Sequence, residues 1–107
     1  NFAPVTTSRI RVVVNNGQGG YSRVVEVQAW SGGTTSTPPP PTTKTNVALA
    51  TNGATASASS ESAGGFYPSL AINGGRTWAA GGGWRDNTVG FFPDWLQIDF
   101  NGSKTID

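Results

Sequence analysis

An all-β, antiparallel sandwich is the fold class that three observations on this sequence predict. Charged residues make up 12% of the 107-residue chain, roughly half the usual share, while Gly (15), Ser and Thr are abundant. That turn-rich profile suits sheets and suits long helices badly. Apolar and polar residues alternate in several separate runs, the period of half-buried strands. Clusters of Gly and Asn, which tolerate turn conformations, punctuate those runs.

The first run is Ser8 to Val14, with Ile10, Val12 and Val14 on one face and Arg9 and Arg11 on the other. Solvated-face arginines are the plain reading of that second face, ligand contacts the sharper one. Asn15-Asn16-Gly17-Gln18-Gly19-Gly20 reads as a turn or loop. Arg23 to Trp30 is a second β-rich run, with Arg23, Val25, Val27 and Ala29 on one face. Two strands around a glycine-rich loop predict an antiparallel hairpin. A lone hairpin is marginal in water, so this one needs a sheet to join.

Ser31 to Thr45 carries no apolar side chain able to anchor a core, and Pro38 to Pro41 remove four consecutive backbone donors. It reads as a semi-rigid polyproline spacer between domains. The division predicted is residues 1–30 as a terminal hairpin, 31–45 as spacer and 46–107 as the beginning of a domain.

Beyond the spacer, Ala54, Ala56 and Ala58 alternate with Thr55, Ser57 and Ser59, a strand of little side-chain bulk. Tyr67 to Ile72 predicts a single helical turn, ended by Asn73-Gly74-Gly75. Residues 73–94 read as a long loop with Gly81, Gly82, Gly83 and Gly90 and the aromatics Trp78, Trp84, Phe91 and Phe92. Long loops of this kind are often functional. Aromatic rings on such loops suit a sugar-binding face; the competing reading, favoured for Trp84 and Phe92 and open for Trp78, is that they plug the core. Phe91 to Phe100 is the clearest strand, with Leu96, Ile98 and Phe100 on one face and Trp95, Gln97 and Asp99 on the other. Asn101-Gly102 is a strong hairpin signal, after which Lys104 to Asp107 starts a returning strand.

Several function classes are disfavoured. A net charge of +1 with scattered arginines offers no basic run for a nucleic-acid backbone. No run of about 18 apolar residues reads as a membrane span. There is no cysteine for disulfides or thiolate metal sites, and no histidine as base or zinc ligand. The six carboxylates, Glu26, Glu61, Asp86, Asp94, Asp99 and Asp107, form no spacing that suggests a catalytic pair, so the chain is expected not to be an enzyme. Asn1 is not an initiator residue and no signal peptide precedes it, so a processed or excised span is expected. Asn101-Gly102-Ser103 is a glycosylation sequon where the source glycosylates that way.

Phe92-Pro93-Asp94-Trp95-Leu96-Gln97-Ile98-Asp99-Phe100, with Tyr67-Pro68 and Ala71-Ile72-Asn73-Gly74, resembles the first half of a discoidin-like (coagulation factor five/eight type C) domain. Pro4 to Val12 and Glu26 to Trp30 resemble its last two strands. The resemblance covers nearly everything outside the spacer, but in an order unlike the family's, with the terminal strands first and several middle strands absent. It implies a β-sandwich of jelly-roll type, incomplete or permuted. The chain is then the tail of one unit and the head of the next, or a shortened permutant closed by strand exchange within or between chains. It also implies a secreted or cell-surface carbohydrate-binding or adhesion module of bacterial origin within a larger protein.

The resemblance further implies a weak structural calcium ion, held by Leu70, Asn73, Thr77, Val25 and Glu26 through oxygen alone. The family's histidine is missing from its sugar site. Trp78, Arg76, Trp84, Arg85 and Asp86 are the sugar-binding candidates by loop position and chemistry. The rival function is structural: a subunit whose open sheet edges recruit copies of itself into a homo-oligomer.

Overall fold

The computed structural model describes residues 3–32 and 44–107. Residues 33–43, including the four-proline run, lie outside the described residues. The described residues are all-β: they form a five-stranded antiparallel sheet and a two-stranded antiparallel ribbon, with only short helical turns besides. In chain order the strands are β1 (Val5–Val14), β2 (Arg23–Val24), β3 (Trp30–Ser31), β4 (Thr45–Asn46), β5 (Thr55–Ala58), β6 (Trp84–Arg85) and β7 (Asp94–Ile106). The helical elements are 3-10 turns at Gln18–Gly20, Ala50–Asn52 and Pro68–Ile72 and one α-helical turn, α1 (Trp78–Gly81).

Strand β7 is the hub. It pairs antiparallel with β1 along one edge and with β5 along the other, and Ser31 of β3 faces Ile106 near its end. Its alternation is the one the sequence predicts. Leu96 and Ile98 are fully buried and Phe100 nearly so, while Trp95, Gln97 and Asp99 face outward. The core adds Ala29, Val47, Ala48, Ala54, Ala71, Ile72, Trp84 and Ile106. Ala56 and Ala58 of β5 turn toward it, as do Ile10, Val12 and Val14 of β1, half-buried along that strand's inner face.

Three expectations are corrected. The hairpin between Ser8–Val14 and Arg23–Trp30 does not form, because each arm has a better partner in the other segment. Strand β1 takes β7, and β2 takes β6. From Val25 to Ala29 the second arm leaves strand geometry. Val27 N–H donates to the Ala71 carbonyl at 2.8 Å and Ala29 N–H to Asn46 Oδ1 at 3.0 Å.

Asn101-Gly102 does not reverse the chain either. Arg9 faces Asp99 but Thr7 faces Lys104, so residues 100–103 form a bulge and the strand runs on to Ile106. Gly102, at φ 83°, takes the left-handed conformation the bulge requires. Finally, the stretch 73–94 is not one structureless loop, since it carries α1 and β6; the Thr77 hydroxyl caps α1 by accepting from Ala80 N–H at 3.0 Å.

The two ends of the spacer stand side by side. Ser31 faces Thr45 and Trp30 faces Asn46 in the β3–β4 pair. Buried Asn46 pins this junction. Its Oδ1 accepts from Ala29 N–H and from Ala48 N–H at 3.2 Å, and its carbonyl accepts from Asn52 Nδ2 at 2.8 Å. Residues on both sides of the spacer therefore build a single sheet within one chain.

Candidate functional site

The ribbon β2–β6 sets the site. Val24 faces Trp84 and Arg23 faces Arg85 across it. Successive strand residues point to opposite sides, so burying Trp84 in the core turns Arg85 outward, onto the same side as Arg23. The Arg85 guanidinium lies between two rings, 4.9 Å from the Tyr21 centroid and 4.5 Å from that of Phe66. The Arg23 guanidinium lies 5.6 Å from Tyr21. Phe66 continues the stack edge-on to half-exposed Trp78, with centroids 5.5 Å apart and planes at 85°.

Beside this stack opens a groove of about 240 Å³ lined by Val14, Asn16, Gly17, Gln18, Tyr21 and Arg23. The loop after β1 shapes it. Gly17 carries the chain so close to Tyr21 that a Cβ there would stand 2.0 Å from the Tyr21 carbonyl oxygen. Gly20 N–H closes the 3-10 turn on the Gly17 carbonyl at 3.1 Å. The lining residues carry two side-chain amides, a phenol and a guanidinium. These groups donate to and accept from hydroxyls while offering an apolar face.

Of the five sugar-binding candidates, Arg85 and Trp78 join this cluster through Phe66. Trp84 and Asp86 do not, because both are fully buried. Trp84 plugs the core, its indole N–H donating to the Ser60 carbonyl at 2.8 Å. Asp86 organises buried backbone: Oδ1 accepts from Ser22 N–H at 2.7 Å, and Oδ2 accepts from Thr88 N–H and Thr88 Oγ1 at 2.8 and 3.0 Å. Arg76 is exposed, and its charge acts on the Glu26 carboxylate. Asn16, Gln18, Tyr21, Arg23 and Phe66 were not legible as site residues. The aromatics beside glycine loops were the available signal, but it takes the fold to bring Tyr21 and Phe66 against the same arginine.

The residues implied as calcium ligands come from both segments, and the fold brings those segments together. Gly74 N–H donates to both Glu26 carboxylate oxygens, at 3.2 and 3.3 Å. Asn73 Oδ1 accepts from Gly75 N–H at 2.8 Å and its Nδ2 donates to the Gly81 carbonyl at 3.0 Å. Burial pushes the Glu26 carboxyl up from its ordinary 4.5, against the Gly74 N–H and the Arg76 guanidinium, which hold it down. By donor type the set fits a hard cation, since Leu70, Val25, Asn73, Thr77 and Glu26 all offer oxygen. Glu26 is its one carboxylate. Among the described residues no three carboxylates gather anywhere, and no helix is long and apolar enough to cross a membrane.

No family model, curated protein or solved structure matches this chain.

Proposed function

We propose that this chain is a non-catalytic, extracellular carbohydrate-binding module of a larger secreted protein, and that the Tyr21 groove is its saccharide site. The observation that carries the reading is the groove's lining. Asn16, Gln18, Tyr21 and Arg23 line one cleft, and from Tyr21 the stack runs through Arg85 and Phe66 to exposed Trp78. A pyranose needs this combination: hydrogen bonds to its hydroxyls and a flat apolar surface for its C–H face. On the same reading Leu70, Val25, Asn73, Thr77 and Glu26 would hold a structural calcium ion, weakly, because one carboxylate supplies all the charge.

A glycan array followed by titration of the best hit tests this. Tyr21→Ala should abolish binding and Trp78→Ala weaken it, whereas a chain that takes no glycan on the array sinks the reading.

A second reading, self-assembly, has its own support. Among the described residues β1 has a neighbour on one side only. Val5 and Val13 are about half exposed on it. A mainly apolar groove of about 360 Å³ is lined by Ile10, Gln28, Ala29, Trp30, Ile106 and Asp107. Unpaired edges recruit strands, and the occupant proposed is a second copy of this chain. Light scattering over a hundredfold range of concentration decides it: a monomer throughout excludes the assembly.

A further inference from the structure

We infer that the Tyr21 groove selects an acidic saccharide, one bearing a carboxylate or a sulfate; this rests on the carbohydrate-binding reading above and sharpens it. Arg23 and Arg85 stand directly opposite each other in the β2–β6 pair and share one side of it. Like charges in opposed positions weaken a strand pair, so the fold keeps these two against its own stability. Among the described residues neither pairs with a carboxylate. The ion pairs among the described residues are Arg9 with Asp99 and Lys44 with Asp107.

The compensation present is aromatic, from the Tyr21 ring shared by both guanidiniums and from Phe66 behind Arg85. Stacking occupies the face of a guanidinium and leaves its N–H donors, which lie in its plane, for other partners. Arg85 spends Nη2 on Ser62 Oγ at 2.8 Å, while its Nε is buried without a partner. Exposed Arg23 reaches the groove itself, and its fork matches two oxygens of a carboxylate or sulfate. Arg85, behind the shared ring, adds positive potential without touching the ligand. Asn16 and Gln18 meet the saccharide's hydroxyls.

Titration calorimetry on the whole chain tests this with four probes: an oligogalacturonate, its methyl ester, a sulfated oligosaccharide and sodium sulfate alone. The expected result is that one acidic oligosaccharide binds at least about tenfold tighter than the neutral ester, as one charge-assisted pair provides. Added salt should narrow that gap. Arg23→Gln should remove it while melting at or above the parent, since it also removes the opposed like charge, and Arg23→Lys should restore part of the gap. The carboxylated and sulfated arms identify the anion. Equal binding of acid and ester overturns the inference and leaves a neutral-sugar module. Sulfate ion alone binding as tightly as the acidic oligosaccharide overturns it in favour of a bare anion site. No binding of any saccharide overturns the inference together with the reading it rests on.

Discussion

Both carboxylate oxygens of Glu26 accept from the single N–H of Gly74, at 3.2 and 3.3 Å, fastening the first segment of the chain to the turn that follows Ile72. The clasp works against burial. Desolvation raises the Glu26 pKa, and the Gly74 N–H and Arg76 only partly oppose it. With a folded-state pKa above the unfolded value, the linked stability is fully present below about 4.5 and is lost as pH rises through the folded value. Glu26→Gln, which keeps an acceptor for Gly74, should therefore melt at or above the parent at pH 7 in EDTA, and the two should converge near pH 3. Thermal melts at both pH values check this. In millimolar calcium the parent should gain stability and the variant should not.

Ser22 joins two buried carboxylates from the second segment. Its N–H donates to Asp86 and its hydroxyl to Asp94 Oδ2, each at 2.7 Å. Asp94 Oδ1 also accepts from Ser59 Oγ at 3.2 Å. Removing either acid leaves buried donors unmet, so Asp86→Ala and Asp94→Ala should each lose about 1–3 kcal/mol or more in urea unfolding. A double substitution should cost less than the sum, since the sites share Ser22.

Trp84 is fully buried and its indole N–H is satisfied by Ser60. Trp84→Phe keeps a ring but empties part of the site and orphans a carbonyl, and should cost about 1–3 kcal/mol. Trp84→Ala should cost about 3–5 kcal/mol, enough to unfold a marginal domain. Circular dichroism of the purified variants separates the two.

The outer face of β1 and β7 makes a contrasting case. Arg11 lies 4.3 Å over the Trp95 ring and donates twice to Gln97 Oε1, and Arg9 pairs with Asp99 at 3.5 Å. All of this is in solvent, where such contacts contribute little. Arg9→Ala should change stability by no more than about 0.5 kcal/mol and Arg11→Ala by about 1 kcal/mol or less. Urea titrations showing a larger loss would mean this face is covered.

Gly17 makes the groove testable through backbone alone. Its φ of −141° suits any residue, yet an added Cβ would collide with the Tyr21 carbonyl. Gly17→Ala should therefore displace Tyr21 and weaken ligand binding by about tenfold or more, with the displacement seen as amide shift changes confined to residues 15–24.

What the sequence determines by itself is local. Alternation set the inner faces of β1, β5 and β7, because side chains on a strand point to opposite sides whatever the partner. The helical turn ending at Asn73-Gly74 was equally legible, since capping depends on a few adjacent residues. Partnership was not. Arg23 to Ala29 has the composition of a strand, but its N–H groups find Ala71 and Asn46, acceptors visible only after the chain folds back. Asn101-Gly102 is a turn signal that a long ladder with β1 converts into a bulge. The candidate site belongs to this second kind. Tyr21, Arg23, Phe66 and Arg85 lie on either side of a proline-rich stretch, and one side chain alone says nothing of a stack. Only the tertiary structure decided their meeting, because burying Trp84 fixes which way the opposite face of its strand must point.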